Sequence, residues 1–146
     1  MSLRFATVVV SLLASGCATV VPQVQEGDWT QRRAALQALD GWNLDGRVAI
    51  AAGDDARRFI EQNLGPESPL PIAEMRYWLV GAPAPVSPYR EAVGAGGSLS
   101  GLEQSGWAVS YQRYRAVGSI ALPERVEMTT EGLRLRVVIS EWHLAP

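Results

Sequence analysis

The residues of this 146-residue chain that could do chemistry are few and scattered. His143 is the single imidazole, three residues from the C-terminus. A general base needs a nucleophile or a substrate proton within hydrogen-bond reach and a third group to orient it. The sequence supplies no such set around His143, which reads as a surface or edge-strand histidine. Asp54 and Asp55 are adjacent carboxylates, but neighbours in an extended loop point apart. The pair therefore reads as a turn and helix cap rather than an acid–base dyad. No Cys/His cluster has metal-ligand spacing. Gly94, Gly96, Gly97 and Gly101 are not followed by Lys-Ser/Thr and not preceded by a parallel strand, so they form no phosphate cradle. Cys17 is the single thiol. Before it stand Met1-Ser2-Leu3-Arg4, an apolar run from Phe5 to Leu13, and the small residues Ala14-Ser15-Gly16. These are the basic, apolar and small-residue regions of a secretory signal. The apolar run is too short to cross a bilayer, which takes about 20 residues.

A signal that ends directly before the only cysteine resembles that of bacterial lipoproteins. In that class the thiol receives a diacylglycerol and the cysteine becomes the N-terminus. Ala14 stands where such signals usually carry Leu, with Leu13 one place further out. The alternative is ordinary cleavage after Ala18, because Gly16-Cys17-Ala18 also fits a small-x-small site. Stable anchoring takes two or more acyl signals, at about 0.8 kcal/mol per buried CH2. A diacylated, N-acylated Cys17 meets that need and lets a water-soluble body stay on a membrane. Ala18, rather than Asp, after the cysteine implies sorting to the outer membrane. Residues 1–16 are thus expected as signal peptide and 17–27 as a lipidated, Pro-containing tether. Residues 28–146 are expected as a single domain, with no cofactor beyond the covalent lipid on Cys17.

All thirteen basic residues are arginine, against fifteen acidic ones, and loss of Arg4 with the leader takes the formal charge from -2 to -3. A mildly acidic chain with dispersed charge is not a nucleic-acid binder, which needs a clustered basic face. With Cys17 acylated, no disulfide can form.

The elements read as mainly β with short helices. Asp28 caps a helix over about Trp29–Leu39, with Gln31 in capping-box spacing. Trp29, Leu36 and Leu39 are on its buried face, and Arg32, Arg33 and Gln37 away from it. Trp42 to Ile50 alternates apolar and polar, the mark of a half-buried strand, and Gly46 within it marks a bulge or bend. Ala51-Ala52-Gly53-Asp54-Asp55 breaks the pattern. A second helix is expected over Ala56–Asn63 and a third over Ile72–Val80. Residues 81–88 read as a stiff extended connector and 92–101 as a mobile loop. Strands follow over Trp107–Tyr114, Arg125–Thr129 and Leu133–Ile139, the last two joined as a hairpin across Glu131-Gly132.

The chain has five tryptophans, Trp29, Trp42, Trp78, Trp107 and Trp142. Singly, each is explained by filling a core. Together with the alternating strand positions they could instead line an underfilled apolar pocket of the kind small barrels enclose. The sequence leaves both open.

The order of features resembles the LolB family of outer-membrane lipoprotein receptors. Asp28-Trp29, Arg32-Arg33, Leu36 and Leu39, then Gly41-Trp42-x-Leu44-x-Gly46-Arg47-Val48-Ala49-Ile50, are similar to its start. Leu64-Gly65 and Met75-Arg76-Tyr77-Trp78-Leu79-Val80-Gly81-Ala82-Pro83-Ala84-Pro85 follow. The end agrees in Leu102 to Tyr111, Leu122-Pro123, and Leu133 to Ile139 with Trp142. The resemblance implies an incomplete antiparallel β-barrel or curved sheet, LolA/LolB-like, with short helices as a lid. It implies a protein that is not an enzyme and sits, as a monomer, on the periplasmic face of the outer membrane. Such a protein takes lipoproteins from a LolA-like periplasmic carrier and passes their acyl chains through a hydrophobic cavity into the membrane. The expected cavity-lining residues are Trp42, Leu44, Val48, Ile50, Trp78, Leu79, Trp107, Val109, Tyr111, Leu133, Leu135, Val137 and Ile139. Arg47, Arg134 and Arg136 face outward. One departure stands out: near 51–55 the chain is too short to hold the further strands, and the protruding loop, that family members carry. Part of the sheet is therefore expected to be missing. Two alternatives remain: a structural or interaction lipoprotein, and an inactive deletion derivative.

Overall fold

The computed structural model describes residues 27–52 and 70–145. Cys17, the tether, the Asp54–Asp55 turn and the helix expected over 56–63 lie outside the described residues. The described elements are α1 (Gly27–Gln37), β1 (Trp42–Ala52), α2 (Ile72–Val80), β2 (Tyr89–Val93), β3 (Leu99–Gln104), β4 (Trp107–Val117), β5 (Ile120–Thr130) and β6 (Leu133–Leu144). The six strands form one antiparallel sheet in the order β1-β6-β5-β4-β3-β2. The described residues are mainly β with two short helices, a partial LolA/LolB-like sheet as expected.

Alternation decides which face is buried. Leu133, Leu135, Val137 and Ile139 of β6 are buried, and Arg134, Arg136 and Val138 between them are exposed. Trp107, Val109 and Tyr111 of β4 and Leu122, Val126 and Met128 of β5 complete the inner face. On the outer face Glu127 accepts from Arg136 at 2.7 Å and lies 3.7 Å from Arg134. These contacts hold the Glu127 carboxyl below its ordinary value, the Arg136 hydrogen bond foremost. β5 and β6 are joined by Glu131-Gly132, where Gly132 takes a left-handed φ of 74°.

β1 pairs with β6, so the first strand of the sheet meets the last. The register slips beside Gly46: Asp45 faces Glu141, but Gly46 faces Ile139. The irregularity expected at Gly46 is present, and the extra residue is Ser140 on β6. Its freed carbonyl accepts from Arg115 Nη1 at 2.9 Å, and its hydroxyl donates to the Asp45 carbonyl at 3.2 Å. Gly46 itself is required by close approach, because a Cβ there would lie 2.4 Å from the Val138 carbonyl oxygen. The strand continues through Ala51 and Ala52, which the sequence pattern had placed in a break.

α2 has its expected bounds and ends at Gly81, whose φ of 85° closes the helix while Gly81 N–H donates to Trp78 O. Trp78 and Val80 are its buried residues. α1 begins at Gly27, ahead of the expected cap, and buries Trp29 and Leu36. Three of its polar residues depart from expectation. Arg32 donates to Gly97 O at 2.8 Å and Ser98 Oγ at 2.7 Å, and Arg33 donates to Tyr89 Oη and Glu91 Oε1. Gln37 donates to Pro83 O at 2.8 Å. They face the body because the segment expected as a mobile loop is the β2–β3 hairpin, with Leu99 and Leu102 buried in the core.

Residues 82–84 are buried rather than an exposed connector. A buried loop must have its backbone polar groups paired. Gln104, the one buried polar residue among the described residues, does this. Its Nε2 donates to Ala84 O and Ser87 O, and its Oε1 accepts from Ala84 N–H and Trp78 Nε1.

Candidate functional site

The inner face divides into a covered part and an open part. α2 lies against β5 and α1, over the middle of the sheet. Trp78 of α2 and, on the inner face of the sheet, Trp107, Val109, Tyr111, Leu133, Leu135, Val137 and Ile139 are all buried. Trp78 and Trp107 pack with ring centroids 6.2 Å apart. Trp142 of β6 is buried too, and its Nε1 donates to Pro123 O at 2.9 Å.

β1 lies at the opposite end of the sheet order from β2. Trp42, Leu44, Gly46, Val48 and Ile50 alternate onto the inner face opposite Leu144, Trp142, Ile139, Val137 and Leu135. Their burial differs sharply from that of their partners. Val137 is 5% exposed while Val48, directly across from it, is 63% exposed. Trp42, Leu44 and Ile50 are half-buried, as is Leu79 of α2. Trp42 is held by an edge-on contact with Trp142, ring centroids 5.4 Å apart. The thirteen expected cavity residues thus share one face or the helix above it. Those of β4 and β6 are packed, and those of β1 form an apolar shelf with solvent over Val48.

The outer face of the same strand pair carries charge. Asp45 lies directly opposite Glu141, and His143 Nε2 is 2.9 Å from Asp45 Oδ2. The three groups are exposed, with ligating atoms within 4.8 Å of one another. The Asp45 hydrogen bond raises the His143 pKa from its ordinary value, with Glu141 adding to the effect. Sequence spacing could not reveal this cluster, because only the β1–β6 pairing unites residues 98 apart. Arg47, Arg134 and Arg136 are exposed, as expected.

Two tyrosines border a cleft of about 310 Å³ between β4 and the β2–β3 turn. Tyr114 Oη donates to Leu99 O at 2.8 Å, and burial pushes the pKa of both Tyr111 and Tyr114 upward, so both are neutral phenols.

The described residues define a class by architecture, a helix-backed antiparallel sheet with an apolar shelf on its inner face. The sequence model of the outer membrane lipoprotein LolB family matches residues 45–142, and the chain belongs to that family. An outer-membrane lipoprotein LolB of Nitrosococcus oceani is 29% identical, over 97% of this chain and 98% of its own length. That of Ectopseudomonas mendocina is 28% identical, with 89% and 91% covered. That of Pseudomonas aeruginosa PAO1 is also 28% identical, with 89% and 90% covered. The first alignment runs over 196 positions although this chain has 146 residues, so that relative carries positions this chain lacks. The family is one of outer-membrane lipoproteins.

Proposed function

We propose that this protein is anchored through acylated Cys17 on the periplasmic face of the outer membrane. There it receives lipoproteins from a LolA-like carrier and releases them into the membrane. The observation that supports this reading most is the combination of LolB membership with the shelf of Trp42, Leu44, Val48 and Ile50. Acyl chains have no polar handle, so a site for them is apolar surface that is not already packed. A shelf whose central residue is 63% exposed next to a partner at 5% has that character. Burying apolar surface there yields about 25 cal/mol per Å². The residues under α2 act as the rigid floor, and the β1 positions with Val137 and Leu135 as the seat. No bond is made or broken. Cargo moves down a gradient of affinity from the carrier's cavity to the shelf and then to the bilayer.

The test is complementation. The chain is expressed in cells whose own LolB can be shut off, and survival and outer-membrane delivery of a reporter lipoprotein are followed. Reduced but measurable delivery is expected, because the chain lacks positions that its relative carries. No delivery, with the protein present and lipidated at Cys17, would overturn the reading in favour of an inactive derivative.

A further inference from the structure

The two ends of the sheet are finished differently. β2 has five residues. Very short edge strands resist pairing with other chains. β1 has eleven residues, its own alternation is unbroken, and among the described residues no strand lies on its far side. It has no proline and no inward-pointing charge, two of the devices that protect an edge.

We infer that this edge pairs with the β1 edge of a second copy of the chain, antiparallel and centred on Gly46. The order of side chains along β1 carries the inference. A two-fold axis at Gly46 sets residue 45 opposite 47, 44 opposite 48, and 42 opposite 50. On the inner face Leu44 meets the second copy's Val48, and Trp42 meets its Ile50. On the outer face Asp45 meets its Arg47. The large apolar residues of the inner face thus meet one another and Asp45 meets an opposite charge, while on the outer face Ala49 meets Asn43. Shifting the register by one residue would set an apolar face against a charged one.

The charges within one copy support this pairing. Asp45 and Glu141 face each other across β1 and β6. Like charges directly opposite are destabilising. Arg47 is exposed and, among the described residues, has no acidic partner. In the proposed dimer each Arg47 reaches the other copy's Asp45–Glu141 pair. Val48 would at the same time be flanked on the inner face by Leu44 of the second copy, which extends the apolar shelf and leaves its surface open. The axis is perpendicular to the sheet, so both inner faces lie on the same side and form one trough of twelve strands. The chain is thus a dimer rather than the monomer its family resemblance implies.

The experiment is sedimentation of the detergent-solubilised full chain with four variants. The wild type is expected to be a dimer. Arg47→Asp and Asp45→Arg should each raise the dissociation constant at least about tenfold, by setting like charges across the edge. The double variant Asp45→Arg/Arg47→Asp should restore it to within about threefold, since the charges are exchanged but still opposite. Val48→Lys puts an inward-pointing charge on the edge and should abolish pairing while circular dichroism stays unchanged. A wild-type monomer up to about 100 µM would overturn the inference. So would weakening by both single variants without rescue by the double one, because the register would then be wrong.

Discussion

Trp78 Nε1 donates to Gln104 Oε1 at 2.8 Å, and this bond ties the helix over the sheet to the strand beneath it. The same oxygen accepts from Ala84 N–H, and the Gln104 amide nitrogen serves two carbonyls of the loop that leaves α2. Replacing Gln104 by Leu keeps the volume but leaves an indole N–H, a backbone N–H and a backbone carbonyl unpaired in the core. An unsatisfied buried group costs about 1–3 kcal/mol. Gln104→Leu should therefore lose about 3 kcal/mol or more in urea denaturation of the full chain. Trp78→Phe removes one donor only, leaves Ala84 N–H on the same oxygen, and should cost less than Gln104→Leu.

Gly46 and Gly101 are both strand glycines, but their surroundings differ. A Cβ at Gly46 would meet the Val138 carbonyl oxygen at 2.4 Å, a backbone atom that cannot rotate away. At Gly101 the nearest atoms are 3.8 Å off, an ordinary contact. Gly46→Ala should destabilise by about 2 kcal/mol or more through forced separation of β1 from β6. Gly101→Ala should be neutral within about 0.5 kcal/mol. Paired thermal melts check the contrast.

The parts of this fold that were legible in the sequence are those governed by local pattern. Leu133-x-Leu135-x-Val137-x-Ile139 shows its buried face by alternation alone, and α2 shows its end by Gly81. The β2–β3 hairpin was not legible, because Gly94 to Ser98 resembles a loop and hides that Leu99 and Leu102 are core residues. Arg32 and Arg33 looked like solvent-facing charges because their partners, Gly97, Ser98, Tyr89 and Glu91, lie 56 to 66 residues away. Burial of residues 82–84 was illegible for the same reason, since it depends on Gln104. In the candidate site, the alternation placed Val48 on the inner face. What it could not tell is that Val48 is open while Val137 is closed, because that depends on tertiary packing over the sheet rather than on local pattern.

His143 gives a pH dependence whose sign follows from its raised pKa. Protonated His143 donates to Asp45, so the folded state holds the proton more tightly than the unfolded chain. The contribution is fully present below the unfolded value, near 6.5, and is lost as pH rises through the higher folded value. His143→Gln should therefore lower the melting temperature more at about pH 5.5 than at about pH 8.5. Glu127 acts in the opposite sense, because its pKa is lowered by Arg136. Its contribution is present above the ordinary carboxylate value and lost on acidification through the depressed one. Comparing Glu127→Gln with His143→Gln over the same range separates the two.

Val48 and Val138 decide whether the inner face takes up acyl chains. Val48 lies on the inner face opposite Val137, whereas Val138 lies on the outer face opposite Arg47 and Arg125. Both are exposed, so neither substitution opens a core cavity. Val48→Asp places a charge in the proposed seat and should weaken saturable uptake of a fluorescent fatty acid by the full chain at least about fivefold. Val138→Asp should leave uptake unchanged. Equal loss in both variants would place the binding elsewhere. Arg47→Asp distinguishes the face from the edge, since it disturbs pairing of β1 with a second copy but leaves the inner residues intact. Uptake that survives Arg47→Asp and fails in Val48→Asp assigns the seat to the inner face of a single chain. Uptake lost in both makes the paired trough the binding unit.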